Sequence, residues 1–344
     1  MATSVTPAPS AGTTNGTRPS GVIRPVFLLS APRSGSTLVQ RVLAAHPGVE
    51  TASEPWLLLP LLGTQRADLP QSGSWQRVAA HAIGDFATTL PHGGADIDAA
   101  LRDAALTLYR GAAGPQATHF LDKTPGYSMI VDDIARVFPD GVLLFLWRNP
   151  LGVLSSIVET LDGGRFRPSR QSLTLFDGPA RMVAAAERLG DRAVGVRYED
   201  LVTGEHAAWR RLTDAMGIEL DPAALEQFTS VRLTGSLGDP TGVHRYDALS
   251  TEPLQKWQAT LCNPARRAWA RRWLRWLGRE RLAVMGYDLD DLLRTLDALP
   301  GSGPGDATGL GRDLAEMAGS MGREVLRARA LDPSTSTWRL ILAP

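Results

Sequence analysis

Two short segments of this chain combine residue types that hold anions. The first is Ser30-Ala31-Pro32-Arg33-Ser34-Gly35-Ser36-Thr37, set between an apolar run and a helical pattern. A small-residue loop in that position presents backbone N–H groups, and the helix that follows adds partial positive charge at its N-terminus, so a phosphate or sulfate is favoured there. Ser36 and Thr37 add hydroxyl donors and Arg33 a full charge; with Ser34 and Gly35 they make up the candidate anion loop. The glycine spacing, and the lack of a Lys before the Ser/Thr pair, set it apart from a Walker A loop. A strand–loop–helix with one glycine also serves as a plain structural turn.

The second segment is Arg148-Asn149-Pro150. Asn149 suits a helix N-cap and Pro150 the first helical position. Gly152 and Ser156 recur with Asn149 at three- to four-residue spacing, which puts them on one helix face. Arg148 and Ser156 can then grip one phosphate from the side, with charge-assisted bonds from the guanidinium. An Arg-Asn-Pro turn can equally do no more than start a helix.

The elements that must position these residues are legible in the apolar runs. Val26–Leu29 and Val142–Trp147 read as buried parallel strands; Phe120-Leu121 and Ala193–Tyr198 read as two more. Helical patterns at Ser36–Ala45 (with Leu38, Val42 and Ala45 on one face), Ile130–Phe138 and Pro179–Leu189 alternate with them. The alternation predicts an α/β fold with a parallel sheet covered on both faces. Binding residues then lie beyond the carboxyl ends of the strands, where each polar cluster falls. A long amphipathic helix over 264–285 carries Trp269, Trp273, Trp276 and Leu277 at helical spacing. Arg267, Arg271, Arg275 and Arg279 share another of its faces, which reads as a solvated basic face or, alternatively, a dock for an acidic acceptor. His46-Pro47 stops the first helix.

At 344 residues the chain can bury a sizeable core. Its 36 Lys+Arg balance 36 Asp+Glu, so no global field favours nucleic acid or an anionic membrane. The single cysteine, Cys262, excludes an intrachain disulfide and a cysteine-based zinc site, and no metal-ligand cluster is apparent. Richness in Ala, Arg, Gly and Leu suggests a bacterial genome. The first residues lack the apolar core of a signal peptide, and no run is long enough to span a bilayer, so a cytoplasmic protein is expected. Residues 1–23 read as a disordered leader, 24–298 as the functional domain, and 299–344 as a linker, a helix near Arg312–Ala330 and a tail.

Together the two segments resemble those of sulfotransferases. Pro32–Thr37 looks like the family's 5′-phosphosulfate loop. Arg148-Asn149-Pro150 with Ser156 looks like its 3′-phosphate site, and Val196–Val202, which includes Tyr198, resembles the strand and turn that follow. The resemblance implies a P-loop-like three-layer fold, with 3′-phosphoadenosine 5′-phosphosulfate as sulfuryl donor and no metal. Within the superfamily the layout is closer to the tyrosylprotein branch. Ala45-His46-Pro47 is followed eight residues after His46 by Glu54, which matches that branch's base, and Lys123 in Leu121–Pro125 matches its catalytic Lys. The small-molecule branch carries a base His two residues after a Lys, where this chain has Pro125. That implies Glu54, Lys123 and Arg33 as the catalytic set. The branch's Glu-Thr-Arg is Glu54-Pro55-Trp56 here, so its substrate-binding Arg is missing and a larger, more apolar acceptor pocket is expected. Gly238–Arg245 resembles the late loop over the nucleotide, with His244 and Arg245 as candidate contacts. The acceptor itself is expected to be a small molecule. Read without the resemblance, Glu54 also suits a helix start at Trp56–Leu62, and Lys123 a solvated loop. A P-loop-type kinase, or a nucleotide-binding module without turnover, are the competing functions.

Overall fold

The computed structural model describes residues 21–69, 74–204, 206–235, 249–300 and 311–318. Five parallel strands form one sheet: β1 (Arg24–Ser30), β2 (Val49–Thr51), β3 (His119–Asp122), β4 (Val142–Trp147) and β5 (Ala193–Arg197), in the order β2-β3-β1-β4-β5. The order reverses at β1, and in open α/β sheets the crevice beyond the carboxyl end of such a strand is where ligands bind.

Alternation along the central strands explains the layers. Phe27 and Leu29 of β1 and Leu143, Phe145 and Trp147 of β4 point into one apolar cluster, with helices Gly94–Ala112, Val131–Val137, Pro150–Thr160, Gly178–Leu189, Pro264–Val284 and Leu289–Asp297. Val26, Leu28, Val142, Leu144 and Leu146 point to the opposite cluster, under helices Ser36–Ala44 and His206–Met216. Helices thus cover both faces of an all-parallel sheet, which is why these strands are apolar throughout. This is the expected three-layer α/β fold, a central parallel sheet with helices on both faces.

Several boundaries differ from the sequence reading. Ile23, assigned to the leader, is only 2% exposed and belongs to the core. In the first helix the buried apolar face is Val39, Val42 and Leu43, while Leu38 and Ala45 are only partly buried. Tyr198 leaves β5 and begins a short helix, Tyr198–Val202. The helix expected at Trp56–Leu62 runs Leu58–Gly63, because Trp56 has left-handed backbone geometry (φ +53°). The three-residue β2 is too short to show a period in sequence and was not anticipated.

The long C-terminal helix is Pro264–Val284, with Gly278 out of helical geometry inside it. Trp273 and Leu277 are buried, with Trp269 and Trp276 packed beside them. Part of its basic face pairs within the chain: Arg271 with Asp297 and Arg279 with Asp290, both on Leu289–Asp297. Residues 311–318 are helical, and Arg266 forms a buried bidentate pair with Asp313 there. The leader over 1–20, the linker over 301–310 and the remainder of the expected helix and tail, 319–344, lie outside the described residues. Among the described residues no helix is long and apolar enough to cross a membrane.

Candidate functional site

Both anion segments emerge at the carboxyl end of the sheet, on the neighbouring strands β1 and β4. Gly35 caps the helix Ser36–Ala44 with φ +86°, and the first N–H donors bonded back to it are those of Leu38 and Val39. The amides of Ser36 and Thr37 therefore have no helical carbonyl behind them, the arrangement that favours an anion. Arg33 also has left-handed backbone geometry, at φ +68°. Such strain in a non-glycine residue persists only where its surroundings hold it. Here the Arg33 carbonyl accepts a 2.7 Å bond from Arg148 Nη1, and Arg33 Nε donates to Ser156 Oγ at 3.2 Å.

Asn149 caps the helix Pro150–Thr160 as its spacing predicts, its Oδ1 accepting from the Leu151 amide at 2.9 Å. Its own amide donates to Glu199, whose other oxygen accepts from the Tyr287 hydroxyl at 2.6 Å. The Arg148 guanidinium lies 4.7 Å from the centre of the Tyr198 ring. That ring also meets Gly35: a Cβ there would come within 2.3 Å of it. At Gly152 a Cβ would sit 3.3 Å from Arg148 Nε, so glycine leaves that guanidinium its room.

A cavity of about 920 Å³ opens between the segments, and Arg33, Gly35, Ser36, Thr37, Arg148, Ser156, Tyr198 and Glu54 all border it. Glu54 follows β2, whose end is fixed by Gln40 bonding to Thr51 Oγ1 at 2.7 Å and to the Ala52 carbonyl at 2.6 Å. Lys123 follows β3 and is only 1% exposed. Its Nζ is 2.7 Å from Glu54 Oε1 and 3.5 Å from the Thr37 hydroxyl. It is a buried group joining the carboxylate to the anion loop, and neither the surface-loop reading of Lys123 nor the helix-start reading of Glu54 holds.

The Ser34 side chain lies buried beneath the loop, toward Trp147, Met182 and Trp273, while Arg33, Gly35, Ser36 and Thr37 border the large cavity. His244 and Arg245 lie outside the described residues. His119 begins β3, at the opposite end of the sheet from Lys123, and hydrogen-bonds Thr118; burial lowers its pKa. His46 accepts from the Gly48 amide and ends its helix as expected.

Residues that the sequence reading missed complete the walls. Arg41 donates to the carbonyls of Thr229 (2.6 Å) and Val231 and lies over Phe228, which borders the cavity with Trp257. Behind Lys123, the fully buried Asp122 accepts from Tyr109 (2.6 Å), Tyr127 (3.0 Å) and Thr124 (3.2 Å). Burial raises its carboxyl from 3.8 to about 6. No spacing rule marks Phe228 or Trp257. Asp122, adjoining Lys123, was visible as a polar residue at a strand end.

The profile of the sulfotransferase family matches residues 25–222, more than half of the chain. The chain belongs to the sulfotransferase family. That membership sets the kinase reading aside. Among similar proteins, "Protein-tyrosine sulfotransferase A" of Caenorhabditis elegans is 24% identical over 69% of this chain and 61% of its own length. The nodulation protein NoeE of Sinorhizobium fredii is 30% identical over 68% of this chain and 60% of its own. The chain thus spans about 60% of the length of these two relatives. Solved structures with a similar course include the sulfotransferase domain of the curacin biosynthetic pathway and that of the Synechococcus PCC 7002 olefin synthase. Each has a TM-score of 0.49 and 24% identity, covering 70% and 72% of this chain respectively and 92% of their own.

Proposed function

We propose that this protein transfers a sulfuryl group from 3′-phosphoadenosine 5′-phosphosulfate to the hydroxyl of a small-molecule acceptor. The observation that carries the reading is the Glu54–Lys123 pair, wedged between an anion loop and the open cavity, 2.7 Å apart and with Lys123 3.5 Å from Thr37. The donor set suits a nucleotide with two separate anionic groups. Arg33, Gly35, Ser36 and Thr37 offer one cluster of donors, and Arg148 with Ser156 the other. Tyr198 touches both clusters, packing against Gly35 and lying near the Arg148 guanidinium. When bound, the donor supplies an activated sulfuryl group.

The chain's own residues have three tasks in this reading. Glu54 accepts the proton that the acceptor hydroxyl gives up as its oxygen becomes bonded to sulfur. Lys123 and Arg33 offset the negative charge that gathers on the departing bisphosphate, a preorganised electrostatic role. Ser36 and Thr37 hold the anion with their amides and hydroxyls. A cytoplasmic, bacterial protein is part of the same proposal, supported by the lone cysteine and the composition.

Calorimetry with 3′,5′-adenosine bisphosphate, AMP and ATP tests the reading. The bisphosphate is expected to bind most tightly, and Arg148→Ala to cost about 1.5–3 kcal/mol of that binding, the range for a hydrogen bond to a charged group. Equal affinity for AMP refutes a dedicated second anion site.

A further inference from the structure

Trp56 lies two residues beyond Glu54 and is 38% exposed, one of few large apolar side chains open to solvent among the described residues. Its backbone is strained, at φ +53°. For a bulky residue that conformation is costly and needs support from its neighbours. The support is visible. The Trp56 amide donates to the Thr124 hydroxyl at 3.3 Å, and the Leu58 amide donates to the Tyr127 hydroxyl at 2.9 Å. Both hydroxyls donate in turn to the buried carboxylate of Asp122.

More than a third of the residue stays open to solvent, and its surroundings show what that open surface faces. One side of the indole covers Gly126, where a Cβ would come within 2.8 Å of the ring. Its N–H is 3.3 Å from Glu54 Oε2, while Lys123 holds Oε1. The ring borders the cavity together with the apolar side chains of Pro125, Met129, Leu173 and Leu161, the last 51% exposed. Exposed apolar groups gathered at a cavity mark a surface that meets apolar material. Arg266, which also borders the cavity, is already paired with Asp313.

We infer that Trp56 selects the acceptor. Its open surface takes a flat, uncharged ring carrying the reactive hydroxyl, and its N–H holds the Glu54 carboxylate in place. Trp56 is therefore a specificity and positioning residue. The inference rests on the sulfotransferase reading for the role of Glu54, and on the cavity wall alone for the ring.

Separate variants divide the two roles. The probe is 2-naphthol, titrated with and without 3′,5′-adenosine bisphosphate, with glucose as the polyhydroxylated comparison. The wild-type protein is expected to bind 2-naphthol and to prefer it to glucose. Trp56→Ala is expected to weaken naphthol binding about tenfold, the scale of a lost aromatic pair. Trp56→Gly, which suits the positive φ, is expected to do the same without loss of fold. Trp56→Phe keeps a ring and loses the N–H. It is expected to leave KM for 2-naphthol nearly unchanged and to lower kcat about fivefold, the scale of one hydrogen bond. Unchanged naphthol binding in both Trp56→Ala and Trp56→Gly, or a preference for glucose, overturns the inference; so does a Trp56→Phe enzyme with wild-type kcat. Failure of the bisphosphate to bind instead refutes the sulfotransferase reading, and the naphthol titration without nucleotide still decides the role of the ring.

Discussion

Replacing Gly35 by alanine tests whether the anion loop and the Arg148 site form one unit. Two costs can be worked from the structure. At φ +86° alanine is strained, a cost of about 1 kcal/mol or more. Its Cβ would also lie 2.3 Å from Tyr198 Cε2 and 2.4 Å from Cδ2. Carbon contacts settle near 3.5–4.0 Å, so the ring has to retreat by roughly 1 Å or more. Tyr198 is buried, and the Arg148 guanidinium stands 4.7 Å from its ring centre. Overpacking of this kind costs typically about 1–3 kcal/mol. The sum, about 2–4 kcal/mol, corresponds to a fall in Tm of roughly 3–7 °C for a domain of this size. Binding of 3′,5′-adenosine bisphosphate should fall as well, because Arg148 is displaced with the ring. The assay is a melting scan and a bisphosphate titration, with Gly84→Ala as control. Gly84 sits inside the helix Ser74–Ala87, and a Cβ there meets nothing within 4 Å, so that change should be neutral or stabilising by up to about 1 kcal/mol. A Gly35→Ala protein with wild-type Tm and wild-type bisphosphate affinity refutes the argument.

Glu54→Gln keeps the shape of the side chain and removes its basicity. Turnover should fall by about 10²–10⁴ with bisphosphate affinity retained, and near-normal kcat in a transfer assay removes Glu54 as the base. Asp122 predicts a dependence on pH. Its carboxyl is raised from 3.8 to about 6, so the folded state holds the proton more tightly. Its contribution to stability is then greatest below pH 4 and is lost as pH rises through 6, by on the order of 3 kcal/mol. Subtracting urea-unfolding curves of Asp122→Asn from wild type between pH 4 and 7.5 isolates this slope. A flat difference contradicts it.

What the sequence disclosed, and what it withheld, follows from how local each signal is. Val142–Trp147 is apolar throughout because both its faces are buried, and the strand falls where the run predicts. Asn149 and Pro150 announce a helix start by chemistry that needs no tertiary partner. Glu54 and Lys123 were reached only through a resemblance, since their 2.7 Å contact joins residues from different strand ends. Which way the Ser34 side chain faces was not legible, because loop residues of one chemical type can face opposite sides and sequence does not say which. Phe228, Trp257 and Arg41 escaped notice for a related reason. Each reaches the cavity through long-range packing, and an apolar or basic residue in a helix carries no mark of what it will face.

The bond between Arg148 and the Arg33 carbonyl ties together the ends of two adjacent strands. The spacing of the two proposed anion sites is consequently set by the sheet itself, whose neighbouring strands lie about 4.8 Å apart. The chain between β1 and β4 contributes to that spacing only through its ends. No described residue of the helix Ser74–Ala87 borders the cavity, so that helix can be altered without touching the proposed nucleotide side, whereas Gly94–Ala112 sends Tyr109 to Asp122 beside Lys123 and has to stay. A library aimed at new acceptors belongs in the segment around Trp56 and in residues 161–174, with β1, β4 and the loops at their ends kept constant.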